Sequence, residues 1–210
     1  MLQDILAAVI AFVSTNIDDL FILMALFLQT DSGIRSGNII SGQYLGIITL
    51  IVLSLAGVFL GLIIPAAYIG LLGLFPIYMG LRKLWEHYVQ KSNADEADDT
   101  ATAKTSGGMF AQIISVTAIT IANGGDNIGI YIPFFSAKSS QGMALTIAIF
   151  LALTAVWIFT ARYLTKHPAL AGTLQRIVPV IFPFLLIALG VYILFDSGTF
   201  GLLKEHDLAA

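Results

Sequence analysis

The sequence predicts an all-α membrane protein: six transmembrane helices built as two inverted three-helix repeats, with the N-terminus and C-terminus outside. Three observations predict it. Of the 210 residues, 58% are hydrophobic and only 11% are charged, whereas soluble domains carry about 25% charged residues. The apolar residues fall in long runs, not in the short alternating segments of a β-barrel. One long polar stretch, Ser92 to Gly108 with Asp95, Glu96, Asp98 and Asp99, divides the runs three and three. The expected organisation is therefore a first repeat over 1–85, a cytoplasmic acidic linker over 86–108, and a second repeat over 109–210.

A helix needs about 20 mostly apolar residues to cross the hydrocarbon core, which places spans near 5–28, 39–63, 66–83, 110–135, 142–164 and 177–196. The first follows Met1-Leu2-Gln3-Asp4, which has no basic lead, and its apolar run holds two aspartates; it reads as a spanning helix and not a cleaved signal. The second starts with Ser41, Gln43 and Tyr44, read as solvated near an interface. The third is short and contains or follows Pro65 and Pro76, and Arg82, Lys83 and Trp85 beyond it read as inner-surface anchors. In the fourth, Gly124-Gly125 weakens the helix and permits close approach or local unwinding. Tyr131 and Pro133 close that span and read as an interfacial anchor. The fifth ends on Arg162 and Tyr163, and the sixth carries Pro179 and Pro183.

Basic residues set the orientation. With the N-terminus outside, the inner loops hold Arg35, Arg82, Lys83, Lys91, Lys104, Arg162, Lys166 and Arg176, and the outer side keeps Lys138 and Lys204. The halves also align. An offset of 108 residues superposes Asp18-Asp19-Leu20 on Asp126-Asn127-Ile128, and one of 110 superposes Gly80 on Gly190. Because each half has an odd number of spans, the second is expected upside down, a common secondary-transporter plan with its site at the midplane.

The chemistry lies in Ser14-Thr15-Asn16-Ile17-Asp18-Asp19 and Asn123-Gly124-Gly125-Asp126-Asn127, both inside apolar segments. A charge at the centre of a spanning helix costs about 2.5–3.5 kcal/mol, so three unpaired aspartates would cost roughly 8–10 kcal/mol. A bound cation, a proton or internal water must lower that cost. Helical spacing stacks Thr15 on Asp19 and Ser14 on Asp18 and lays Asn16 over Asp19, while the glycine pair frees carbonyls beside Asp126. The expected ligands are Asp18, Asp19, Asp126, Asn16, Asn123, Asn127 and Thr15, with Thr117 and Thr120 along the approach. An all-oxygen set suits a hard divalent cation such as Mn²⁺, Ca²⁺ or Mg²⁺ and also accommodates Cd²⁺.

Taken together, these paired motifs, the spans and the acidic linker resemble the cadmium-resistance transporter family of the lysine-exporter superfamily. The resemblance covers nearly the whole chain. It implies a secondary exporter of divalent metal (Cd²⁺, with Zn²⁺ or Mn²⁺ as further cargo) in a bacterial plasma membrane, and it implies no enzyme activity.

Several classes are excluded or disfavoured. The chain has no cysteine, so thiolate sites and disulfides are absent. There is no basic stripe for nucleic acid and no nucleotide-binding loop. His87, His167 and His206 have no ligand spacing. No resident cofactor is expected; the metal ion is substrate, the bilayer is the other partner, and so small a bundle is compatible with a homodimer. Two other readings are an exporter of an amino acid or organic cation and an intramembrane aspartyl hydrolase with one Asp from each half.

Overall fold

A computed structural model of the chain describes residues 2–60, 71–89 and 108–196, with the side chains of a few of them, Asp126 among these, outside the description. The described residues are helical throughout apart from short turns. They form α1 (Leu2–Leu28), a 3-10 turn (Gln29–Ser32), α2 (Ser36–Leu60), a second 3-10 turn (Leu71–Gly73), α3 (Leu74–Val89), α4 (Met109–Asn123), α5 (Gly125–Ser136), α6 (Ser140–Leu164) and α7 (Pro168–Asp196). Residues 90–107 of the expected linker, with Lys91 and Lys104, and Lys204, His206, Pro65 and the expected start of the third span lie outside the described residues, while 86–89 belong to α3.

Among the described residues, three helices, α1, α2 and α6, are long and apolar enough to cross a membrane by themselves, and α7 makes a fourth if its two limbs count as one span. The local unwinding expected at Gly124-Gly125 is present in the fourth expected span. The run over 110–135 is two shorter helices, because the chain breaks at Gly124 between polar Asn123 and Asp126. The sixth begins nine residues before the expected 177, at Pro168. Its missing N–H costs nothing in a first turn, and His167 accepts the first bonds from Leu170 and Ala171. The limbs Pro168–Val178 and Pro183–Phe195 then bend by 53°, as prolines inside a helix require. Gly33 turns the chain between α1 and α2 at φ +119°, a conformation that suits glycine. Ser139 caps α6 by accepting from Gly142 N.

Packing separates the interior into two apolar cores. One gathers Ala8, Phe12, Leu50, Tyr131, Phe150 and Leu189. The other gathers Leu23, Ile39, Val116, Ile119, Ile158 and Ala171. Each long helix contributes to both, and polar residues occupy the stretch between. On α1, the apolar positions 7–12 and 20–27 flank Ser14 to Asp19. On α2, Gln43 lies between Ile39 and Ile47, and on α6, Thr154 lies between Phe150 and Ile158. A buried polar layer therefore crosses the bundle.

Close approach comes from glycines. A Cβ on Gly42 would fall 2.5 Å from Val116 Cβ, and one on Gly46 would fall 2.5 Å from Thr120 Cβ. These two residues, four apart, seat α2 against α4 in the small-xxx-small manner of membrane helices. The antiparallel pair α3 and α7 is held the same way. Gly73 abuts Gly190, and Gly80 abuts Pro183 and Ile187. Gly190→Val must push α3 off α7, since its branches meet the Gly73 carbonyl and the Ile77 backbone. The expected loss is about 1–3 kcal/mol, read as a lower midpoint in unfolding of the detergent-solubilised protein; an unchanged midpoint would contradict this packing.

Candidate functional site: a buried carboxylate in the polar layer

Asp19 is the most enclosed carboxylate among the described side chains, at 2% exposure. Helix α1 aims it at the seam between α2 and α4. Asn123, the last residue of α4, donates to Oδ1 (2.6 Å), and Gln43 Nε2 donates to Oδ2 (3.1 Å). Gln43 in turn accepts from Thr120 Oγ1 through its Oε1 (2.7 Å). The relay runs from Thr120 through Gln43 to Asp19, with Asn123 closing the other side. These donors are neutral.

Asp18, one residue earlier on the helix, faces elsewhere. Its Oδ2 lies 3.7 Å from Lys83 Nζ on α3, and its side chain is 41% exposed. Adjacent helical positions are about 100° apart, so one carboxylate is sealed and its neighbour accessible. The expected grouping of hydroxyls around the carboxylates is corrected. Ser14 Oγ donates back to the Ile10 carbonyl (2.6 Å), and Thr15 Oγ1 turns to the Ala11 carbonyl (2.9 Å). Both hydroxyls donate to carbonyls of their own helix, a common habit of helical Ser and Thr, and Thr15 also reaches another helix.

Thr15 and Asn16 form a second cluster with Tyr131. The tyrosine hydroxyl is 3.0 Å from Thr15 Oγ1 and accepts from Asn16 Nδ2 (2.8 Å). Trp157 Nε1 donates to the Asn16 carbonyl (2.6 Å). The reading of Tyr131 as an interfacial anchor is thereby corrected: it is wholly buried, because the helix restarts at Gly125 and carries it inward beneath Phe135 and Phe150. Lys83 likewise reaches Asp18, beyond the surface role expected of it.

Asn127 is buried beside the helix break, with its amide nitrogen 3.1 Å from where a Gly124 Cβ would sit. Neither amide atom of Asn127 has a hydrogen-bond partner, and Asn16 Oδ1 has none. An unpaired buried polar atom costs about 1–3 kcal/mol, so the layer holds unused coordinating capacity. Asp126 is the second residue of α5, at the N-terminal end of that helix; its side chain lies outside the described residues. Among the described residues, no three acidic or histidine side chains converge on one point. Of the expected ligands, Asp19 and Asn123 meet directly, Thr15 and Asn16 meet at Tyr131, and Asp18 and Asn127 stand apart.

Gln43 is a residue of this buried network that sequence reasoning undervalued. Its signal was the Gly42-x-x-x-Gly46 bracket, which brings α2 against α4 and centres the amide on that contact.

A helical bundle with an ionisable side chain sealed in a polar layer between two apolar cores has the build of a membrane transporter. The chain belongs to the cadmium resistance transporter family, whose sequence model matches residues 12–205. No curated protein and no solved structure matches it.

Gln43→Leu removes a donor from Asp19 and an acceptor from Thr120. The change is expected to cost about 1–3 kcal/mol, measured by denaturant unfolding in detergent, with Thr120→Val costing about 1 kcal/mol. A Gln43→Leu protein as stable as wild type would show that the relay is not formed.

Proposed function

We propose that this protein is a secondary-active exporter of divalent metal cations, Cd²⁺ first, working by alternating access around Asp18, Asp19 and Asp126 in a bacterial plasma membrane. The observation that carries the reading is the carboxylate-bearing polar layer between two apolar cores, in a chain of the cadmium resistance family. An apolar seal on each side of a charged layer is what alternating access needs. Opening one core exposes the layer to one side while the other core stays shut.

The ligand chemistry fits a cargo that must be released. Asp19, Asn123, Gln43 and the unpaired amide oxygens of Asn16 and Asn127 offer oxygen donors and no sulfur, so a soft ion such as Cd²⁺ is held moderately. Metal arriving at accessible Asp18 would pass toward Asp19, exchanging the Gln43 and Asn123 donors for cation coordination. No nucleotide-binding loop occurs in the sequence, so the driving force would be an ion gradient or the membrane potential. The proposed coupling is to protons, which would enter as metal leaves.

Six spans in inverted repeats with both termini outside are part of the proposal: the basic-residue distribution supports the orientation, and two pairs of contacts support the repeat. The offset of 110 carries Gly73 to Pro183 and Gly80 to Gly190, and so exchanges the Gly73–Gly190 contact with the Gly80–Pro183 contact. An offset of 108 carries Phe12 to Thr120, and one of 104 carries Gly46 to Phe150. The Gly46–Thr120 contact thus exchanges with the Phe12–Phe150 ring pair, whose centroids are 5.5 Å apart. A pseudo-two-fold relation between inverted repeats would exchange contacts in this way.

The test is accumulation of Cd²⁺, Mn²⁺, Zn²⁺ and Ca²⁺ in cells expressing wild type, Asp18→Asn, Asp19→Asn or Asp126→Asn at matched levels. The expected outcome is lower Cd²⁺ in wild-type cells and loss of that protection in each variant. Full protection in all three variants would remove the aspartates from the transport path. Unchanged metal with altered amino-acid export would move the protein to another cargo.

A further inference from the structure

The two ends of the bundle are tied by side-chain networks of different chemistry and matching position. At the end where α1 begins, Lys138 sits in the turn between α5 and α6. Its Nζ lies 3.1 Å from Asp4 Oδ1 on α1 and donates to the Tyr192 hydroxyl on α7 at 2.6 Å. The ammonium also stands over the rings of Phe134 and Tyr192, and its side chain is only 4% exposed. At the opposite end, Gln112 of α4 reaches the turn between α1 and α2. Its Oε1 accepts from Asn38 Nδ2 (2.7 Å) and from the Arg35 backbone N–H (3.3 Å), and its Nε2 donates to the Gly33 carbonyl (3.1 Å). The networks exchange under the relation between the halves. The offset of 108 carries Asp4 to Gln112, and that of 104 carries Ile34, which lies between the bonded Gly33 and Arg35, to Lys138. In each network the first helix of one half holds the turn after the first span of the other.

We propose that these networks are the paired gate locks of the transport cycle. Lys138 with Asp4 and Tyr192 holds the outer core shut, Gln112 with Gly33, Arg35 and Asn38 holds the inner core shut, and in each half-cycle one parts while the other holds. The inference rests on the exporter reading above and its inverted repeat, and adds to it the residues that decide which side is open.

Position leads to this role. Each network borders one of the two apolar cores: Phe134 and Ile193 of the first core adjoin the lysine network, and Ile34 and Ile39 of the second adjoin the glutamine network. Opening a core toward its own side of the membrane must separate the elements that its network joins. In lipid, apolar contact between helices gives little preference for closed over open, so hydrogen bonds across the moving boundary carry much of the balance. A bond made in one state and broken in the other is what shifts a population between them. The two networks share no residue, so either can part while the other stays whole. Their chemistry also differs. The outer lock contains an ion pair and the inner one is built on a neutral amide, and a single substitution weakens each without touching the other.

A brace and a lock differ in sidedness, and the cysteine-free chain allows sidedness to be read. Ser14 is wholly buried in the polar layer between the cores, so Ser14→Cys places one near-isosteric thiol there. Its labelling by a membrane-impermeant maleimide is timed in right-side-out and in inverted vesicles. In that background Lys138→Met is expected to speed labelling from outside at least about fivefold, the population change that losing roughly one interhelical hydrogen bond gives, with labelling from inside unchanged or slower. Gln112→Leu is expected to do the reverse. Loss of a brace would loosen the bundle and speed labelling from both sides; that result in both variants, or no change in either, would overturn the proposal. If Lys138→Met does not fold, Asp4→Asn, which weakens the same lock, decides in its place. Opposite responses with the two sides exchanged would keep the locks and reverse the orientation of the chain. Cd²⁺ flux is measured on wild type in the same vesicles. Absent flux fails the exporter reading itself, whereas flux accompanied by labelling that shows no sidedness fails this inference alone.

Discussion

The burial of Asp19 is the constraint on which the rest of the structure depends. A carboxylate at 2% exposure in a spanning helix is tolerated only if donors surround it, and here they come from two other helices. Gln43 must arrive from α2 and Asn123 from α4. That requirement fixes how closely those helices pack, which Gly42 and Gly46 make possible. It also fixes where α4 ends. Asn123 is its last residue, and the break at Gly124 lets the chain change direction just after delivering its amide.

In lipid, apolar surface gains little by leaving one greasy neighbour for another, so association relies on close packing and interhelical hydrogen bonds. The bundle uses both. Glycines bring α2 to α4 and α3 to α7, and the relay from Thr120 to Asp19 spans three helices. Large side chains such as Phe59, Phe159 and Phe195 point outward and stay exposed, as a lipid-facing surface permits. The interior gives most of its polar atoms partners and leaves a few amide atoms of Asn16 and Asn127 without them. Those atoms adjoin the same layer as the aspartates, which is where a passing cation would use them.

Much of the fold was legible in the sequence because hydrophobic runs and glycine pairs act locally. The long helices α1, α2 and α6 follow from uninterrupted apolar length, and the weak point at Gly124-Gly125 became a break between two helices. The site was legible in part. Asp19 and Asn123, 104 positions apart, meet as the two polar motifs suggested. Helix rotation was not legible. Spacing alone stacked Thr15 on Asp19, yet Thr15 turns to its own backbone, and Asp18 and Asp19 diverge toward different helices. Gln43 and Tyr131 were read as near-interface residues because span edges were judged from hydropathy. Both lie deep inside, placed there by interhelical contacts that no local pattern encodes.

The central claim is that a metal ion is handled within the polar layer, and anomalous diffraction from crystals grown with Cd²⁺ tests it most directly. The account predicts an anomalous peak about 2.3–2.6 Å from carboxylate oxygen of Asp18 or Asp19, between the two apolar cores. Cd²⁺ density confined to the acidic segment over residues 95–99 or to the protein surface, with the layer unchanged at saturating metal, would contradict it.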